Sequence, residues 1–405
     1  MKEGYSLREI ELGFAPGYSF RVKDMDGDGM CEYIAVEHGG NHLVVLDCDG
    51  DLLWERTVPN TDRHSTTALE VADVDGDGEV EVVVGEEPEG QNNAIVLDSR
   101  GRLKERVKFP PGRKDYGGNA IDSFGLADVD GDGFKELVVA INGGHLYALD
   151  RDLNILWHLG GLNHTFEHFV HAGDLNCDGI DEIAVSSEEG ERREFFLISG
   201  KGEIIWRKPL EEIGPDRHVD YVAIDDVRGT GRNYLVTSTG GCLFDAEGNL
   251  IWTVRDQINH GQWVEVEKVR EDVPGKQVLI SELWGFRQPC VLVDGEGEVL
   301  WRFREISPYA YPTHAYFIDW NGDGRKLIVI GEQPADTEPV ARRYHITLLD
   351  PYGEVVLRVP FEDTSVPGWF YNFENSPAVA DVDGDGREEF VFPTRRGTLL
   401  ILGAA

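Results

Sequence analysis

Apolar and polar residues follow one another in blocks along this chain. A short β-branched run, a tight polar turn and a second apolar run recur, and no helical periodicity intervenes. The unit is clearest from Ala68 to Gly85, ALEVADVDGDGEVEVVVG, where two strands flank Asp73, Asp75, Asp77 and Glu81. These carboxylates hold places one, three, five and nine of a turn whose Gly76 and Gly78 let the backbone fold around a centre. An all-oxygen donor set of this kind suits Ca²⁺. An EF-hand would need flanking helices and a glutamate at place twelve. Strands flank this turn and the glutamate comes at nine, so the turn closes a β-hairpin.

The turn recurs along the chain. It opens at Asp24 (with Asp26, Asp28 and Glu32), Asp73, Asp128 (with Asp130, Asp132 and Glu136), Asp174 (with Asn176, Asp178 and Glu182), Asp319 and Asp381 (with Asp383, Asp385 and Glu389). Weaker copies stand at Asp226 (DVRGTG) and near Lys268 (KVREDVPG). Eight copies in 405 residues give about 50 residues each, the size of a four-stranded propeller blade. Later in each repeat comes a second signature, a strand, a Gly/Asp turn and a strand with tryptophan near its start: VLDCDGDLLW (45–54), ALDRDLNILW (148–157), LISGKGEIIW (197–206), LFDAEGNLIW (243–252) and LVDGEGEVLW (292–301). Blades two and seven keep the turn and lack the tryptophan.

The expectation is therefore an all-β, eight-bladed propeller forming a single domain over residues 1–405. The last repeat supplies three strands, and Tyr5 to Leu12 is expected to add the fourth and close the ring. The copies at Asp226 and Lys268 have lost most ligands, and Asp319's turn ends in Leu327, so those three are expected to be metal-free.

The formal charge of −37 changes less than it suggests, because much of it is aspartate in cation-binding turns. It still disfavours nucleic acid and anionic membrane as partners. With 41% apolar residues and nine tryptophans the chain can fill a large core. The five cysteines, Cys31, Cys48, Cys177, Cys242 and Cys290, are odd in number, scattered and never in a CxxC, so free buried thiols are expected. No apolar run approaches the roughly 20 residues of a spanning helix. The start, MKEGYSLREIEL, lacks a secretory pattern, which suggests a cytoplasmic protein, with a secreted protein whose leader has been removed as the alternative; a monomer is expected.

In a propeller the one-to-two and three-to-four turns share one face, so the opposite face is formed by the residues before each first strand. There the sequence places His64, Asn119, His164, His218, His260, Tyr309 with Tyr311, and Asn372. Arg63 and Arg217 precede His64 and His218 in matching Asp-Arg-His triplets, and His168 and His171 follow His164. On a helix that histidine spacing would suggest zinc, but here it enters a strand. His314, Trp284, Arg287 and Tyr371 complete a set of imidazole, guanidinium and aromatic groups. Such a face suits an anionic sugar, whose carboxylate pairs with guanidinium and whose ring stacks on flat surfaces.

With its DxDGDGxxE turns and strand-end pattern, the chain resembles the eight-bladed rhamnogalacturonan lyases of polysaccharide lyase family 11. More loosely, it resembles propeller lyases that cut ulvan or rhamnose–glucuronate bonds. The resemblance implies β-elimination on an acidic oligo- or polysaccharide. Arg63 and Arg217 would then meet the carboxylate, His64 or His218 would be the base, and Tyr311 or His260 would protonate the leaving oxygen. His164, His168, Asn119, Trp284, Arg287, His314 and Tyr371 would bind substrate, and Ca²⁺ would be structural. Two rival readings stay open: a non-catalytic, calcium-dependent integrin-like propeller, and a quinoprotein dehydrogenase, which would carry a tryptophan in nearly every blade.

Overall fold

Strands of three to nine residues cannot bury their faces alone, and these do so by stacking. A computed structural model describes residues 4–16, 19–37, 41–59, 68–88, 91–110, 121–162, 169–187, 193–214, 219–258, 260–282, 290–303, 310–334, 343–362, 377–394 and 397–405. The 32 strands among them form eight four-stranded sheets. In blade two, Leu69–Ala72, Glu81–Glu86, Asn93–Leu97 and Leu103–Lys108 pair antiparallel in chain order, and blades one to seven share this plan.

The innermost strands are Phe20–Lys23, Leu69–Ala72, Ile121–Ala127, His171–Gly173, Val222–Asp225, Gly261–Glu267, Ala310–Ile318 and Ala378–Ala380. Each touches the next, and the eighth touches both the seventh and the first, so the blades close into a propeller ring. The closing strand is Tyr5–Glu11, paired with Thr398–Ala404 from Tyr5↔Ala404 to Glu11↔Thr398.

Burial grades from the middle of each blade outward. Glu32–Val36 is buried throughout, whereas the outermost Leu52–Thr57 alternates between exposed and half-buried residues. The reason is visible in the core, which consists of eight apolar clusters, each shared by two adjacent blades. Val83, Val96 and Phe109 of blade two meet Phe124, Val139 and Tyr147 of blade three, for example. The middle strands are covered on both faces, so they read as continuous apolar runs.

Each strand-end tryptophan leans on the following blade. The indole N–H of Trp54 donates to Ser99 O (2.9 Å), Trp157 to Gly200 O (2.8 Å), Trp206 to Ala246 O (3.1 Å), Trp252 to Gly295 O (3.2 Å) and Trp301 to Pro351 O (3.0 Å). The ring lies on a turn glycine at positive φ: Gly101, Gly202, Gly248, Gly297 or Gly353. A Cβ there would come within 2.7 to 3.2 Å of the indole. Blade two has Glu105 in place of tryptophan, and the turn that would receive it carries Leu153 instead of glycine, at φ 59°. At the closure Ile10 takes the tryptophan's place, packing on Gly50.

Two expectations need correction. Cys177 is exposed, because it occupies the first glycine position of turn four at φ 62°; the other four cysteines are buried, and all five are free. Tyr311 does not precede the first strand of blade seven but lies within it, as does His314, since Ala310–Ile318 extends its pairing back to Ala310↔Pro334. Among the described residues no helix is long and apolar enough to cross a membrane.

Candidate cation turns and axial site

The turns are built alike. The aspartate at place one accepts from two backbone N–H groups further on: Gly27 and Gly29 to Asp24, Gly76 and Gly78 to Asp73, Gly131 and Gly133 to Asp128. Asp226 and Asp319 do the same, so this role survives where the other acids are lost. The glutamate at place nine accepts from the N–H at place two: Met25 to Glu32, Val74 to Glu81, Val129 to Glu136, Leu175 to Glu182 and Val382 to Glu389. Aspartate and glutamate thus hold the backbone, while places three and five extend into the turn.

Carboxylate oxygens lie within 4.8 Å of one another in four turns: Asp24, Asp26 and Asp28; Asp73, Asp75 and Asp77; Asp128, Asp130 and Glu136; Asp381, Asp383 and Asp385. The donors are all oxygen, which fits a hard divalent cation. Burial pushes the carboxyls of Glu182 and Glu389 up to about 7; the backbone N–H groups oppose this and the neighbouring aspartates add to it. Burial raises Glu32 and Glu136 as well. A cation would relieve that clustering of negative charge. In turn four Asn176 stands at place three and its amide donates to Glu182 Oε1 at 2.7 Å. Among the described residues none of these clusters contains histidine.

Around the axis, residues on the first strands and just before them form an arc of rings. Phe169 and His171 of blade four meet Tyr221 of blade five at centroid distances of 5.6 and 4.3 Å; Tyr221 meets Trp263 of blade six at 3.9 Å; Trp263 meets Tyr316 of blade seven at 4.9 Å. Glu265 lies among them, accepting from Trp263 Nε1 (3.1 Å) and Phe317 N (2.8 Å). It is half-buried facing the channel, yet the protein walls desolvate it enough to push its carboxyl up to about 7. Burial likewise pushes His171 down to about 4, so this imidazole is neutral near pH 7. On the far side, Arg21 of blade one donates to Leu69 O at 2.8 Å, next to Glu70 of blade two.

Of the residues expected to form the opposite face, His64, Arg63, His218, Arg217, His164, His168, Asn119, Trp284, Arg287 and Tyr371 lie outside the described residues. Tyr311 and His314 are placed by their backbone on Ala310–Ile318. His260 is described fully. Its Nε2 lies 3.3 Å from Oδ2 of Asp220, a carboxylate that is 1% exposed and belongs to the preceding blade. Gln262 Nε2 donates to the same oxygen at 2.9 Å, and the backbone N–H of His260 donates to Glu282 Oε1 at 3.0 Å. The imidazole is therefore held by a buried acid at a blade junction, an arrangement that can orient it for proton transfer.

Sequence reasoning missed the axial arc and Asp220. The available signal was a charged or aromatic residue inside a first strand, as at Arg21, Glu70, His171, Trp263 and Tyr316, or just before one, as at Tyr221, where an apolar residue would otherwise pack.

Fold and turns define an eight-bladed β-propeller with Asp-rich hairpin turns. Residues 24–84 and 73–139 match the model of the FG-GAP-like repeat. The chain is 30% identical over 195 residues to the rhamnogalacturonan exolyase YesX of Bacillus subtilis (strain 168); this covers 44% of the chain and 29% of that relative. The chain thus spans under a third of the length of the curated relative it matches. Among solved structures it is similar to BamB from Moraxella catarrhalis (TM-score 0.55, 14% identity, 99% of this chain and 98% of that one) and to Sqt1 from Saccharomyces cerevisiae (0.58, 8%, 98% of each). It is also similar to BBS1N in complex with ARL6DN (0.54, 10%, 98% of this chain and 94% of that one). At these identities the structural likeness concerns the fold alone.

Proposed function

We propose that this propeller is a carbon–oxygen lyase that cleaves a uronate-containing glycan of the rhamnogalacturonan or rhamnose–glucuronate type by β-elimination. The observation that carries this reading is the similarity to the exolyase. The Asp220-held His260 beside an arc of stacking rings is consistent with it. In such a reaction a base removes the proton α to the uronate carboxyl, the bond to the β oxygen breaks, a carbon–carbon double bond forms, and the departing oxygen takes up a proton. His260, whose Nε2 is turned to Asp220 and Gln262, would carry the proton for that departure on its other ring nitrogen, Nδ1. His64 or His218 as base and Arg63 and Arg217 on the carboxylate remain part of the proposal. Ca²⁺ would be held by the complete turns, where it supplies charge that fixes the hairpins.

Incubation with rhamnogalacturonan and rhamnose–glucuronate oligosaccharides tests this, read as ultraviolet absorbance of the new double bond. Wild type is expected to form product, and His260→Ala to lose about 10²-fold or more in kcat. Absence of unsaturated product from every uronate glycan would overturn the lyase reading. A non-catalytic binding propeller is the second reading, favoured by the match of residues 24–139 to a repeat rather than to an enzyme model. It expects bound oligosaccharide or protein and no product.

A further inference from the structure

The complete turns are not equivalent. In turn two Lys104 Nζ lies 2.6 Å from Asp75 Oδ2, 2.8 Å from Asp77 Oδ2 and 2.9 Å from Glu81 Oε1. It therefore touches places three, five and nine together, the carboxylates that would otherwise share a divalent cation. Glu81 is 0% exposed, Asp75 21%, Lys104 26% and Asp77 46%, so the contact runs from a buried glutamate out to the surface.

The position of this lysine in the blade adds a second, independent observation. Residue 104 is the extra residue of a bulge at the start of the fourth strand, between the pairs Leu97↔Leu103 and Val96↔Glu105. In the corresponding bulges of blades one, three, four, five, six and seven it is Leu53, Leu156, Ile205, Ile251, Leu300 and Val356. An aliphatic residue has become a cation in the one blade where the change delivers charge to three turn acids. Turn three offers the contrast. There Arg151 reaches Asp132 from outside while stacking on Phe134, and it leaves the cluster of Asp128, Asp130 and Glu136 intact.

Blade six reaches the same end by another route. Its turn begins with Lys268 where the others begin with aspartate, and Nζ donates back to Val273 O and Gly275 O, each at 2.9 Å. Gln277 replaces the place-nine glutamate and accepts from Val269 N as the glutamates do. An ammonium and an uncharged amide thus stand where a divalent ion and a carboxylate would be.

We infer that turn two is neutralised from within: the ammonium of Lys104 takes the position of the divalent cation, so this hairpin is pinned without metal despite its complete DVDGDGEVE sequence. This rests on the reading that the other complete turns hold Ca²⁺. Among the turns with clustered carboxylates the cation requirement thereby falls on one, three and eight, and a count of motifs overstates the number of ions.

The test is calcium stoichiometry of the intact chain, by equilibrium dialysis with elemental analysis, for wild type, Lys104→Leu and Asp77→Asn. Lys104→Leu restores the residue type of the other blades and is expected to bind one more ion per chain than wild type. Its melting temperature should fall in chelator and recover with calcium more than that of wild type. Asp77→Asn, made without the lysine change, is expected to leave the wild-type count unchanged, which keeps the inference testable if the leucine variant fails to fold. Equal non-zero counts for wild type and Lys104→Leu, or a count lowered by Asp77→Asn, overturn the lysine assignment alone. No bound calcium in any variant overturns both this inference and the calcium reading.

Discussion

Glu265 shows what a single residue contributes at the axis. Unfolded, its carboxyl titrates near 4.3; in the channel it is pushed up to about 7, mainly by burial. Between those values the folded chain keeps a proton that the unfolded chain has lost, so stability falls as pH rises through about 7 and is fully retained below about 4. Glu265→Gln should therefore gain on wild type between about pH 5 and about pH 8, by on the order of 1–2 kcal/mol after discounting for channel water. Urea midpoints of both proteins at the two pH values check this; a difference that does not grow with pH contradicts it. The turn acids were legible as residues because the backbone N–H groups that they hold lie within nine positions, whereas Lys104 and Arg151, which come from further along the chain, were not. The His260–Asp220 contact was not, since it joins loops forty residues apart in two blades, and nothing in either local pattern announces the other.

At the scale of the element, the four-stranded blade is a hairpin pair whose outer edge is held by its neighbour. Trp206 illustrates the bond: its N–H donates to Ala246 O and its ring covers Gly248. Trp206→Ala is expected to cost about 2–4 kcal/mol, the lower part of the range for large-to-small changes because the ring is half-buried. Trp206→Phe should cost about 1 kcal/mol, the hydrogen bond alone. Chemical denaturation of the two variants separates packing from hydrogen bonding; equal losses would mean that the ring contributes little. The elements were the most legible level, because alternation, Gly/Asp turns and the tryptophan positions are local. The first strand of blade seven was read short because Pro312 sits at an irregularity in its pairing, which a sequence pattern reads as a strand start.

Across the whole molecule the two stabilising devices are unevenly shared. Three-carboxylate clusters occur in blades eight, one, two and three, whereas blades five, six and seven have degenerate turns and the aromatic arc spans blades four to seven. Chelation of calcium should therefore speed amide exchange in Glu32–Val36, Glu136–Ile141 and Glu389–Pro393, and leave Tyr234–Thr237 and Gln277–Glu282 as they were. Uniform change around the ring would contradict this division. Repeat number and ring closure were readable because spacing alone fixes them, while the channel lining was not, since it forms only when residues about 50 apart are brought round the axis. The tryptophan contacts also have a direction, each blade gripping the one after it. The grip is missing where Glu105 faces Leu153, and Leu357 stands in its place before blade eight. The ring thus has a grain and two joints, and a force or protease that opens it would part it into an arc of blades three to seven and a shorter arc of eight, one and two.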